Sequence, residues 1–116
     1  MSVEMIVEKV RSGSWVDADI IYRGVKIDVR VRQDEDGSGF IRFRSPATCK
    51  VEPQGEIPAP SPLVGWKCRY VIERIIAEAE VKRSEITPSF IKRVLDWIAE
   101  HYLREEEVEV TIYFYP

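Results

Sequence analysis

Three observations predict an α+β domain, with an antiparallel sheet covered on one face by two helices. Val25, Ile27, Val29 and Val31 alternate strictly with Lys26, Asp28, Arg30 and Arg32. That period of two marks a strand with one buried and one wet face. Val108, Val110, Ile112 and Phe114 repeat the pattern near the far end of the chain. Between them, apolar residues recur at spacings of three and four, the period of an amphipathic helix. The predicted order is ββββ-α-α-β, a meander of four strands and a C-terminal strand.

The chain of 116 residues fits a single domain with its own core. Its 45% hydrophobic and 32% charged content is that of a globular protein and argues against disorder. No apolar run nears 18 residues and no basic, apolar leader opens the sequence, so neither a membrane span nor a cleaved signal is expected. That points to a cytoplasmic protein. There is no Asn, and Gln33 and Gln54 are the only glutamines, while Glu, Arg and Lys abound. Hyperthermophile proteins share this usage, because amides are heat-labile and ion-pair networks gain relative value when hot. The thermophilic reading stands beside chance in a short chain.

Taken in order, Val3 to Val10 reads as a first strand, and Ser12-Gly13-Ser14 as a turn. Trp15 to Tyr22 is a second strand, with Val16, Ala18, Ile20 and Tyr22 on one face and Asp17 and Asp19 on the other. Arg23-Gly24 is a two-residue link, as in a tight hairpin. The Val25 strand returns through a Gly-rich turn to Phe40–Arg44. Residues 45–62 hold five of the seven prolines. Proline fixes φ and removes a donor, so this segment is expected as a long Pro-rich loop, either functional or a stiffened crossover. A helix follows over about Leu63–Arg83, with Val64, Cys68, Val71, Ile72, Ile75 and Ala79 as its stripe. Thr87-Pro88 is a helix start, Thr as cap and Pro in the first turn. The second helix runs to about Glu105, with Ile91, Val94, Leu95, Ile98 and Tyr102 inward. Val108–Tyr115 closes the sheet.

The net charge of -3 argues against a general nucleic-acid binder, but its distribution is uneven. Residues 23–50 carry seven basic and four acidic side chains, whereas residues 96–116 carry one basic and six acidic. Such polarity can steer a charged partner or favour head-to-tail association. If the two central strands pair, Lys26, Arg30, Arg32, Arg42 and Arg44 share an outer face with Phe40. Open sheets that bind single-stranded nucleic acid combine these residue types. The alternative is a solvated face, its arginines paired across strands with Asp17, Asp19, Glu109 and Glu8.

The segment Asp34-Glu35-Asp36-Gly37-Ser38-Gly39-Phe40-Ile41 resembles the first eight positions of an EF-hand calcium loop. Asp34, Asp36 and Ser38 match the first, third and fifth positions, and Gly39 the turn. It departs from that family at Arg42, in the ninth position, and at Ser45, where the bidentate Glu belongs. The flanks read as strands, so a plain hairpin turn is the competing reading and no metal or other cofactor is expected.

Cys49 and Cys68 are too few for a disulfide scaffold or, with His101 alone, a zinc site. A bridge between them would close a loop of about 20 residues, worth ~3 kcal/mol on the chain-entropy model. Buried thiols are the other reading. Trp66 and Tyr70 lie off the stripe of the first helix and form a candidate protein-contact patch, or an anchor for the loop. His101 follows Trp97 by four, with no nucleophile in triad spacing, and no phosphate-binding Gly loop occurs. The expected function is therefore a small non-enzymatic binding or accessory protein acting through a protein partner or as a homo-oligomer. The alternative is a nucleic-acid-binding module built on the arginine face and Phe40.

Overall fold

The computed structural model describes residues 1–45, 49–53, 66–70, 74–103 and 107–116. Side chains are described for 1–45, 75–102 and 107–116. The elements are α1 (Val3–Arg11), β1 (Val16–Tyr22), β2 (Val25–Gln33), β3 (Gly39–Arg44), β4 (Cys49–Pro53), β5 (Trp66–Tyr70), β6 (Arg74–Lys82), a short 3-10 turn at Arg83–Glu85, α2 (Pro88–Leu103) and β7 (Glu107–Tyr115).

Five strands form the main sheet in the order β1-β2-β3-β7-β6, and β4 with β5 makes a separate two-stranded ribbon. The expected meander from β1 to β3 is present, antiparallel throughout. The final strand inserts beside β3, pairing Ile41 with Ile112 and Phe43 with Val110. The sheet is mixed rather than purely antiparallel, because β6 runs parallel to β7. Parallel neighbours need a crossover, and α2 supplies it.

Two predicted elements change type. Val3–Val10 is a helix and not a strand. Val3, Ile6, Val7 and Val10 fall at helical spacing, the Ser2 side chain accepts from the Met5 N–H at 3.2 Å, and Ile6, Val7 and Val10 are buried. The helix expected over Leu63–Arg83 is instead strand where that stretch is described, as β5 and β6, with Arg83 opening the 3-10 turn. The order is thus helix first, six strands, helix, strand. The expected Pro-rich loop is interrupted by β4 at Cys49–Pro53, while 46–48 and 54–65 lie outside the described residues.

The core lies between the helices and one sheet face. Ile6 and Val10 of α1, and Ile91, Leu95, Ile98 and Ala99 of α2, meet Ile27, Val29, Val31, Ile41, Phe43 and Val108, all at 0% exposure. Each fully buried aliphatic or aromatic side chain contributes roughly 1.5–3 kcal/mol of burial against the entropy of ordering it. Helix α2 begins as predicted, with the Phe90 N–H donating to the Thr87 hydroxyl at 3.2 Å. Helix α1 ends on an arginine of the distant 3-10 turn. The Arg83 guanidinium donates to the carbonyls of Val10 at 2.6 Å and Arg11 at 2.9 Å, which satisfies two of the last helical acceptors. No helix among the described residues is long and apolar enough to cross a membrane.

Candidate functional site

The outer face of the sheet carries the predicted arginines, and the register sets them in rows. Asp17, Arg30, Arg42 and Thr111 form one row across four strands. Arg32, Phe40 and Tyr113 form the next, and Asp19, Asp28, Arg44 and Glu109 another. Lys26, Arg30, Arg32, Arg42, Arg44 and Phe40 therefore do share one surface, as the alternation of their strands requires.

That surface is electrically balanced. Lys26 pairs with Asp19 at 3.4 Å, Arg32 with Asp17 at 3.6 Å, Arg42 with Glu109 at 3.4 Å and Arg44 with Glu107 at 4.0 Å. On β1, β2, β3 and β7, these five cations face five carboxylates: Asp17, Asp19, Asp28, Glu107 and Glu109. Glu8 takes no part, because it sits on the exposed side of α1. The pairs are part-exposed, so each is worth about 0.2–1 kcal/mol. Their larger consequence is to cancel the field a polyanion would feel.

The arginines also hold aromatic rings. Arg42 lies 4.9 Å from the Phe40 ring centre and donates to the Thr111 hydroxyl at 3.2 Å. Arg32 lies 4.9 Å from the Trp15 ring and donates to the carbonyls of Val16 and Val31. Phe40 meets Tyr113 edge to face at 6.3 Å. Arg30 has no ion-pair partner among the described residues and stands directly opposite Arg42. With Arg42, Arg44, Asp28 and Glu109 it lines a small recess of about 50 Å³.

The Asp-Gly segment is a hairpin turn. The Asp34 N–H donates to the Ser38 carbonyl at 2.8 Å, and the Gly37 N–H to the Asp34 carbonyl at 3.1 Å. The Asp36 carboxylate accepts from both the N–H and the hydroxyl of Ser38, at 3.0 and 2.6 Å. Those bonds favour its charged form and hold its pKa below the usual carboxylate value. Ser45 is not a ligand position but a clamp. It is buried, its hydroxyl accepts from the Val108 N–H at 2.7 Å, and its own N–H donates to the Val108 carbonyl at 2.9 Å.

On the helix side, α2 leaves part of the sheet uncovered. Ala77, Val110, Phe90, Val94 and Trp97 line an apolar groove of about 350 Å³, with Arg93 on its margin. Sequence reasoning missed this groove. Its signal was the apolar alternation of Ile75, Ala77, Ala79 and Val81, which also fits a helical reading. His101 rests against Trp97 with ring centres 4.3 Å apart and ring planes tilted by 59°, a contact the four-residue spacing allows. Among the described residues, no group of three or more His, Cys, Asp or Glu is placed to hold a metal.

In the ribbon, Cys49 stands opposite Tyr70 and Cys68 opposite Val51, so the cysteines are diagonal neighbours by register. Trp66 stands opposite Pro53. The side chains of Cys49, Cys68, Trp66 and Tyr70 lie outside the described residues. No protein-family model matches the sequence, and neither a curated protein nor a solved structure matches the chain.

Proposed function

We propose that this chain is a small non-enzymatic binding or accessory protein that acts through contact with another protein or with itself. The observation that carries the reading is the apolar groove between α2 and the β6–β7 pair. Exposed apolar grooves rimmed by charge mark interaction sites, because leaving such surface in water is costly. This one adjoins β6, whose second edge is unpaired among the described residues and offers backbone donors and acceptors to a partner.

A photo-crosslinking side chain in place of exposed Arg93, on the groove margin, tests the reading. A second one in place of Glu35, at the hairpin tip, serves as the control. In extract of the source cells, the Arg93 position is expected to give discrete protein adducts and the Glu35 position none. Equal adducts from both positions overturn the reading.

A second reading, a nucleic-acid-binding module, draws on Arg30 facing Arg42 beside the Phe40–Tyr113 pair. The five-against-five charge balance weighs against it. Binding to single-stranded and duplex oligonucleotides at two salt concentrations decides it. Phosphate contacts require an affinity that falls steeply with salt and is lost in Arg30→Glu or Arg42→Glu. No binding at low salt removes the reading.

A further inference from the structure

We propose that the recess between β2, β3 and β7 on the outer sheet face is a binding site for one small tetrahedral oxyanion, phosphate or sulfate in kind. The site is independent of the groove on the helix side. It begins with a pair of like charges. Arg30 and Arg42 stand directly opposite each other on β2 and β3. Such a pair is unfavourable unless an anion lies between the two. The acid that could relieve it is engaged elsewhere. Asp17, opposite Arg30 on its other side, pairs with Arg32 at 3.6 Å.

The guanidiniums around the recess have donors to spare. Arg42 meets β7 through Nε, at 3.2 Å from the Thr111 hydroxyl and 3.4 Å from the Glu109 carboxylate. Those contacts, with the Phe40 ring centre at 4.9 Å, fix its plane. Its two terminal nitrogens donate to no acceptor among the described residues. Arg44 reaches Glu107 only at 4.0 Å, longer than a hydrogen bond. Guanidinium forks suit oxyanions because they offer parallel N–H donors in a fixed plane. Asp28 and Glu109 share the lining, so three cations face two carboxylates. That surplus of one is local. A polyanion meets the whole balanced face, whereas a single ion meets the recess alone, since exposed charges beyond about 8–10 Å are screened at ordinary salt. Size agrees. The recess of about 50 Å³ is far below the ~300 Å³ at which pockets for organic ligands begin, so its occupant is an ion.

Thermal unfolding of the full chain in phosphate and in chloride, at matched ionic strength, tests the site. With phosphate at ten times its Kd, the midpoint is expected to rise by about 5 °C. Arg30→Gln removes the like-charge pair, so in chloride it is expected to unfold no lower than the parent. In phosphate the order reverses, because the variant loses the shift. Asp28→Asn is expected to reach half its shift at several-fold lower phosphate. No shift in the parent overturns the site. So does an equal shift in the parent and Arg30→Gln, which is the general effect of phosphate on burial. A single-stranded oligonucleotide at the same concentration of phosphate groups is expected to leave the midpoint unchanged. A rise that depends on Arg30 would assign the recess to the nucleic-acid reading and overturn the single-ion site.

Discussion

At Gly39 a methyl group has nowhere to go. A Cβ there would lie 2.2 Å from the Arg32 carbonyl oxygen, 2.9 Å from the Gln33 Cα and 2.9 Å from the Phe114 ring. Two of these are backbone atoms of the paired strand, so Gly39→Ala must push β3 away from β2. We expect a loss of about 2–3 kcal/mol in denaturant unfolding, at the upper end for overpacking. Tyr22 gives a prediction in pH. Burial, reinforced by its 2.7 Å hydrogen bond to Asp96, raises its pKa from 10.0 to about 12. A pKa raised on folding stabilises the native state below the unfolded value and ceases to do so as pH climbs through the folded one. Stability is therefore expected to fall between about pH 10 and 12, and the Tyr22→Phe variant to lose that part of the fall, as measured by urea midpoints across the range. The turn beside it is legible in both directions. Arg23 has φ +50° and Gly24 φ +78°, the conformation of a two-residue hairpin link. Sequence showed the link but not that an arginine accepts a left-handed backbone there.

Elements were legible where one face is wet and the other dry. Strands β1, β2, β3 and β7 alternate so plainly because α1 and α2 cover one side and water the other. Helix α1 carried its own signal, Ser2 as cap and apolar residues three and four apart, but Val-rich composition disguised it as strand. Strand β6 failed for the opposite reason. It has Ala and Glu, good helix formers, and apolar residues on both faces at Ile75 and Ile76, so two periods fit equally. What decides it is parallel pairing with β7, a long-range partner that no local window contains. Tertiary ties of this kind also hold the helices. Arg83→Ala leaves the Arg11 carbonyl without its donor and the Val10 carbonyl with backbone N–H donors alone, the Gly13 N–H at 3.2 Å among them. We expect a cost of about 1.5–3 kcal/mol, as for hydrogen bonds to a charged group, with faster amide exchange confined to the last turn of α1. Thr87→Ala is expected to cost ~1 kcal/mol by removing the cap of α2.

Across the whole molecule, the candidate site was half visible. The arginine face followed from parity within each strand, and the pairing of Asp17 and Asp19 with its cations followed from strand order. The groove did not, because it depends on how far α2 extends over β6, a packing distance with no sequence period. Charge pairing spread over the sheet, together with a chain free of asparagine, leads to a thermal prediction. Unfolding followed by circular dichroism is expected above about 80 °C, beyond the range of mesophile domains. A midpoint near 55 °C would refute the thermophilic reading of the composition.

The insertion of β7 between β3 and β6 has a consequence for how the protein is made. Of the described strands, β7 leaves the ribosome last, yet it occupies the middle of the sheet. Until it arrives, β3 and β6 each lack a neighbour, and Ile41 and Phe43 cannot complete their burial. The nascent chain therefore passes through a stage with two open strand edges more than the finished sheet has, during which aggregation competes with folding. Chaperone dependence should be governed by the wait for one late segment, and a stall just before residue 107 should be far more harmful than one before β6.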